Sequence, residues 1–312
     1  MGNGMSNNEI IIGTRGSELA RTQTGIMAEA INTLTGVPVK TVIIKTEGDR
    51  IQDVPLHMVE GKGFFTKELE EALLDQRIDL AVHSLKDLPI ESPAGLTIAA
   101  IPAREMANDL LLVRDQAADE THDRLLPPNA VVGTSSKRRA LQIKALHPGV
   151  KIKELRGNVP TRVKKLVDGQ YDAILVAAAG FRRLGLSAQG YRVVTLDFDA
   201  MLPAPGQGAL ALQVRSEDHA LIDLLAPLHD ANTAAAVEAE RHALGLLGGG
   251  CGMPLGIYAE CIENEVRLRA VLGPDDWQLH DEPKYVRAAA SGDTPMETAR
   301  RIIELLGVNA RG

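Results

Sequence analysis

Polar side chains that could do chemistry gather at four points in the chain, each just after a short apolar run. The first is Thr14-Arg15-Gly16-Ser17. A guanidinium and a hydroxyl at the entry to a helix can bind a carboxylate or phosphate, because the helix N-terminus also offers free N–H groups. A helix cap beside a solvated arginine explains the same residues equally well. The second cluster is His83-Ser84-Leu85-Lys86-Asp87-Leu88-Pro89. Ser84 lacks a nucleophile-elbow surrounding, and its adjacency to His83 gives poor triad geometry. Asp87 beside Lys86 can hold a proton or face a cation; a polar loop capped by Ser84 or Asp87 competes with that reading.

The third cluster, Gly133-Thr134-Ser135-Ser136-Lys137-Arg138-Arg139, puts cations in the first turn of a helix. Cations there oppose the helix dipole, so a bound anion is the natural compensation. Arg156-Gly157-Asn158 with Arg162 repeats the arrangement. Three basic corners suggest a ligand with several carboxylates or phosphates. Gly206-Gln207-Gly208 lacks the spacing of a phosphate loop and reads as a hinge or tight turn. Gly248-Gly249-Gly250-Cys251-Gly252 exposes a thiol in a bare loop, a candidate nucleophile. No second thiol or imidazole is spaced to make it a metal site. Cys261, in an apolar run, reads as core packing.

These clusters need strand ends and helix starts to position them, and the hydrophobic pattern supplies both. Strands are expected at 10–12, 39–45, 79–82 and 96–101, with helices at 18–33 and 66–74. A second series follows: strands at 110–113, 131–133, 152–155 and 173–176, with helices at 135–147 and 159–167. Such alternation implies α/β units with parallel sheets and helices on both faces, whose ligands sit at strand carboxyl ends. After a strand at 209–214 come helices at 217–225 and 232–247, strands at 258–261 and 266–272, and a helix at 296–306. We therefore expect three domains. Two are doubly wound α/β, residues 9–105 with 205–227 and residues 106–204. The third, residues 228–312, is a small α+β domain carrying Cys251.

Composition narrows the function classes. The 312 residues carry a formal net charge of −7, which removes the global basic field expected of a nucleic-acid binder. Aromatic residues are 3%, too few for base-stacking platforms. Two cysteines make no disulfide framework and fit a reducing cytoplasm. No apolar run reaches the ~20 residues of a membrane span. Residues 1–9 are polar; they match a myristoylation pattern but read as an extension or expression remnant. A monomer acting on a small molecule is expected, with no nucleic-acid or membrane partner.

Together the clusters resemble the hydroxymethylbilane synthase, or porphobilinogen deaminase, family. The matching stretches are 13–17, 61–69, 83–89, 133–139, 156–162, 206–209 and 249–251, in family order and spacing from about residue 10 to 275. The resemblance implies two domains like type II periplasmic binding proteins plus the small third domain. It implies a dipyrromethane cofactor held by a thioether at Cys251, and Asp87 contacting pyrrole N–H groups and steering proton movement. It implies that Arg15, Ser17, Lys86, Ser136, Arg138, Arg139, Arg156, Arg162 and Arg183 bind acetate and propionate groups. The implied reaction deaminates four porphobilinogens, joins them head to tail and releases hydroxymethylbilane by hydrolysis. The chemistry agrees: each porphobilinogen brings two carboxylates, which paired guanidiniums match, and loss of ammonia leaves a cation that a carboxylate stabilises.

The chain departs from the family pattern at Met58, where many members carry a basic residue, and at Glu18, Lys137 and Pro205, which replace a common Pro, Leu and Val. None removes an implied catalytic group. Two other classes compete. A non-catalytic anion-binding protein would use the same fold and arginines but has no need of Cys251. A thiol hydrolase would need a histidine near Cys251.

Overall fold

Two five-stranded sheets share one strand order, and each is built around a strand that runs against its neighbours. The structure is a computed structural model and describes residues 9–46, 66–249, 253–274, 276–279 and 283–308. In the first sheet, β1 (Ile10–Thr14) pairs in parallel with β2 (Val39–Ile43) and β3 (Leu80–Ser84). The antiparallel β10 (Leu210–Arg215) then lies between β3 and β4 (Leu96–Ala100), giving the order β2-β1-β3-β10-β4. In the second, β6 (Val131–Gly133) pairs in parallel with β7 (Lys151–Lys153) and β8 (Ala173–Ala177). The antiparallel β5 (Asp109–Arg114) lies between β8 and β9 (Tyr191–Leu196), giving β7-β6-β8-β5-β9. The sheets are thus mixed, not wholly parallel as the alternation suggested. Strand direction depends on which neighbour a strand meets, and local pattern does not encode it.

The period of two along each strand sends alternate side chains to opposite faces, and both faces are covered. In the first sheet Ile10, Ile12, Leu80 and Val82 pack with Met27 and Ile31 of α1 (Glu18–Thr35). Ala81 packs on the other side with Leu69, Ala72 and Leu73 of α2 (Lys67–Leu74). In the second, Leu111, Val113 and Leu175 pack with Ile143 of α3 (Lys137–Leu146). Leu110, Leu112 and Val176 pack with Leu166 of α4 (Val159–Val167) and Phe181 of α5 (Ala178–Arg183). Each sheet is therefore doubly wound.

After α6 (His219–Leu225) and α7 (Ala231–Leu246) the chain forms an antiparallel meander. It consists of β11 (Leu255–Ile262), β12 (Glu265–Leu272) and β13 (Val286–Gly292). Ala236, Ala239 and Ala243 of α7 and Ile302 and Ile303 of α8 (Pro295–Leu305) share one core with Ile257 and Leu268. Cys261 packs against that core from β11, as expected. Internal contacts divide the chain into two compact units, Met1–Arg104 with Ala209–Ala234, and Glu105–Gly208 with Ala235–Gly312. The meander thus belongs with the second sheet. Among the described residues no helix is long and apolar enough to cross a membrane. Residues 1–8, Met58, the 61–65 part of the family stretch and Cys251 lie outside the described residues.

Candidate active site

In the first unit the site starts where β1 and β3 end side by side. Ser17 caps α1, its Oγ accepting from Ala20 N at 3.3 Å, so half-buried Arg15 sits between a strand end and a helix start. At the end of β3 the chain makes a single tight turn over Leu85–Asp87. Leu85 and Leu88 are buried, and Leu85 N donates to Ala209 O at 3.0 Å. Those apolar anchors leave Lys86 and Asp87 exposed. One cleft is lined by Arg15, Gln23, Thr66, His83, Ser84 and Asp87. The structure therefore brings Arg15 and Asp87 together; Ser17 caps the adjoining helix, and Lys86 flanks the cleft without lining it.

Sequence reasoning missed Gln23. It sits on the buried face of α1 and grips Ser84 twice, Nε2 to Oγ at 2.9 Å and Oγ to Oε1 at 3.1 Å. A glutamine in line with Met27 and Ile31 was the available signal. His83 is buried, and its Nε2 meets Gln213 Oε1 at 3.0 Å. Burial pushes its pKa down to about 4; the Gln213 contact works against that shift, and the Arg15 cation adds to it. His83 is thus neutral at ordinary pH.

In the second unit Ser136 caps α3, accepting from Arg139 N at 3.4 Å, and Ser135 Oγ donates to Leu155 O at 2.7 Å. Arg138 and Arg139 point inward rather than to solvent, with residue exposures of 5% and 6%. Arg138 Nη1 donates to Asp109 Oδ2 at 2.5 Å, and Arg139 Nη2 and Nε donate to Asp109 Oδ1 at 2.6 and 3.1 Å. Carbonyls of Leu202 and Leu175 take further N–H groups. The anion that the basic turn demanded is in part internal: Asp109 on β5, which the sequence reading had not paired with these arginines. Burial alone would raise the Asp109 carboxyl, but the two guanidiniums override it and hold the group well below the ordinary carboxylate range.

Two guanidiniums on one carboxylate leave one positive charge over, and Arg162 adds another. Its Nε donates to Gly157 O at 2.7 Å, and burial, reinforced by the Arg139 cation, lowers it to about 10. Arg156 pairs with exposed Glu154 at 2.7 Å. Arg183 donates to Gly208 O at 2.9 Å, and burial lowers it despite nearby Glu105. Gly206 and Gly208 form the expected turn with φ of 70° and 91°. A Cβ at Gly208 would strike the Glu105 carbonyl. Glu18 opens α1 with an acid at the favoured end, and Lys137 is exposed, so both departures from the family pattern are accommodated.

Each unit offers cations that suit carboxylates: Arg138 and Arg139 share the single carboxylate of Asp109 in the second unit, and Arg15 lines the cleft in the first. The comparisons with known proteins agree. The profile described as "Porphobilinogen deaminase, dipyromethane cofactor binding domain" matches residues 10–223. That described as "Porphobilinogen deaminase, C-terminal domain" matches residues 234–304. Porphobilinogen deaminase of Syntrophobacter fumaroxidans is 44% identical over 98% of this chain and 97% of its own. That of Oceanobacillus iheyensis is 43% identical over 96% and 94%. Among solved structures, the Bordetella pertussis BvgS periplasmic VFT2 domain aligns with 70% of this chain and 86% of its own. The identity there is 16% and the TM-score 0.41. On the two profiles and the full-length relatives, the chain belongs to the porphobilinogen deaminase family.

Proposed function

We propose that this chain is a hydroxymethylbilane synthase that joins four porphobilinogens head to tail on a dipyrromethane carried by Cys251. The observation that carries the reading is the convergence of Asp87 and Arg15 on one cleft within a chain of this family. When bound, the dipyrromethane supplies the pyrrole carbon on which the chain grows. The protein's own residues bind, orient and neutralise. Arg15, with Ser17 and Lys86 beside it, takes carboxylates at the mouth of the first unit. Asp87, exposed on its pinned turn, faces pyrrole N–H groups and the cation left when ammonia departs. Arg138, Arg139 and Arg162 act through their surplus charge. Ser136 holds their helix, and Arg156 and Arg183 take further carboxylates.

The three sheets, each with its own core, support the division into residues 9–105 with 205–227, 106–204 and 228–312. The low cysteine count supports a cytoplasmic location, the net charge of −7 and 3% aromatic content support a chain without a nucleic-acid partner, and we expect a monomer with no membrane partner. The test is intact mass. Purified protein should be heavier than its sequence by one dipyrromethane, Cys251→Ser should lose the adduct and Cys261→Ser should keep it. An unmodified mass in active wild-type protein would reject the attachment.

A further inference from the structure

Beneath the cleft of the first unit runs a buried line of polar groups that the proposed chemistry does not use. Thr66 Oγ1 donates to Glu70 Oε2 at 3.4 Å. Gln213 Nε2 donates to Glu70 Oε1 at 3.2 Å, and Gln213 Oε1 meets His83 Nε2 at 3.0 Å. Gln213, Glu70 and His83 are 0%, 7% and 4% exposed, so water does not compete for these contacts. The residues come from β10, α2 and β3.

The chemistry of an amide fixes the direction of the line. Gln213 has one donor end and one acceptor end. Both Glu70 oxygens accept, so the amide nitrogen must face Glu70 and the amide oxygen must face His83. An oxygen there requires a proton on His83 Nε2. The neutral ring then has one acceptor left, Nδ1. His83 lines the cleft with Asp87 and Arg15, and the Arg15 cation acts on the ring; Glu70 stands behind Gln213.

We infer that Glu70 and Gln213 are positioning residues that lock His83 in its Nε2–H form, giving the cleft a fixed, neutral acceptor at Nδ1 for an N–H of the bound pyrrole substrate. Asp87 then supplies charge and His83 supplies direction. The burial that holds the ring neutral serves the same end, since an imidazolium would have no acceptor and would repel the cation formed on loss of ammonia. The inference rests on the cleft being the substrate site.

The experiment is NMR of the histidine rings in the cofactor-loaded enzyme, with His83 assigned through the backbone, alongside steady-state kinetics. Wild-type His83 should show the Nε2–H tautomer and no titration between about pH 5.5 and 8. Glu70→Gln removes the acceptor that sets the amide's direction. It should populate both tautomers and lower kcat/KM about tenfold, with the larger share in KM. Exchanging the two groups, Glu70→Gln with Gln213→Glu, puts a carboxylate against Nε2. That should restore the single tautomer but make the ring titrate at higher pH and add an acid limb to the pH–rate profile. A wild-type Nδ1–H tautomer, or an imidazolium at pH 6, overturns the inference whether or not the variants fold. So does a Glu70→Gln enzyme with an unchanged tautomer and kcat/KM. Asp87→Asn with full turnover would instead reject the cleft as the substrate site and leave the tautomer result standing.

Discussion

The two five-stranded sheets are built alike, yet the antiparallel strand of each presents an opposite kind of polar group within its own unit. In the first, β10 offers the neutral Gln213 to a neutral His83. In the second, β5 offers Asp109 to two guanidiniums. Each sheet also begins its site with a glycine and a buried threonine, Gly13-Thr14 and Gly133-Thr134. The difference is one of division of labour. The second unit stores charge in its interior, where removing one partner strands another. The first sets its buried carboxylate, Glu70, against the neutral Thr66 and Gln213, and puts a second acid, Asp87, on an exposed turn where a ligand can reach it.

The same substitution in each unit should therefore give opposite readouts. Asp109→Asn leaves two buried guanidiniums without a counter-charge, and breaking a buried ion pair from one side costs about 3–5 kcal/mol. Denaturant unfolding should show that loss directly. Asp87→Asn removes an exposed charge, so the melting temperature should hold. Turnover, read as ammonia release, should fall by about 10²–10³, the usual effect of deleting one preorganised electrostatic group. A stable Asp109→Asn protein, or a destabilised Asp87→Asn one, would break the comparison.

Acid should separate the units next. His83 has an ordinary value of 6.5 and a folded value of about 4, so between those limits the unfolded chain binds a proton that the folded chain refuses. Stability rises with pH across that window and is lost as pH falls from about 6.5 to about 4. The shift is worth at most roughly 3–4 kcal/mol at about 1.4 kcal/mol per unit. Asp109 is depressed instead, so its contribution is complete above the unfolded carboxyl value of about 3.9 and fails only as pH drops towards its much lower folded value. His83→Gln should flatten the stability profile between pH 7 and 4.5; an unchanged slope would assign that window to other groups.

The paired glycines offer a smaller contrast. A Cβ at Gly133 would lie 2.7 Å from the Tyr171 ring and 3.0 Å from Ile174 Cγ2. That ring is held by its hydroxyl, which donates to Glu154 O at 2.6 Å, and so it cannot swing aside. Gly133→Ala should cost about 1–3 kcal/mol, as overpacking does. A Cβ at Gly13 would meet the aliphatic ends of Ile78 and Leu69, buried but tied by no hydrogen bond, so Gly13→Ala should cost less than the change against the tethered ring. Equal losses in unfolding experiments would mean that the strand end itself, not its neighbour, demands glycine.

What could be read without the structure follows from what is local. β5, β8 and β10 are apolar runs flanked by turns, and they fall within a residue or two of their expected places. The helix starts at Ser17 and Ser136 were legible from their caps. The six-residue α5 is too short to show a period, and β13, with three alanines, becomes a strand only by pairing with β12. β9 is an edge strand with only its two end residues fully buried. Arg15 and Asp87 stood out because polar clusters at strand ends are unusual. Asp109 beneath Arg138 and Arg139, and Gln213 between Glu70 and His83, did not. Those partners lie 29–30 and 130–143 residues apart, and only the sheet order brings them together.

The smallest effect tests whether the two helix starts differ as their surroundings do. Ser17 and Ser136 make the same cap, each accepting one backbone N–H, at 3.3 and 3.4 Å. Either Ser→Ala change should cost about 1 kcal/mol, the usual value of such a cap. Aspartate discriminates between them, because it caps equally well and adds a charge. At Ser17 the first turn already holds Glu18, so Ser17→Asp gains the dipole and loses to a like charge, with little net change. At Ser136 the first turn holds no acid and opens on Lys137, Arg138 and Arg139. Ser136→Asp should therefore raise stability by a few tenths of a kcal/mol up to about 1. It should also weaken turnover, because the new carboxylate occupies charge that a ligand's carboxylate would otherwise use. Thermal melts and ammonia release on the two aspartate variants decide the matter. If Ser136→Asp were no more stable than Ser17→Asp, Asp109 would already neutralise the turn fully, and the surplus charge assigned to the second unit would have to come from Arg162 alone.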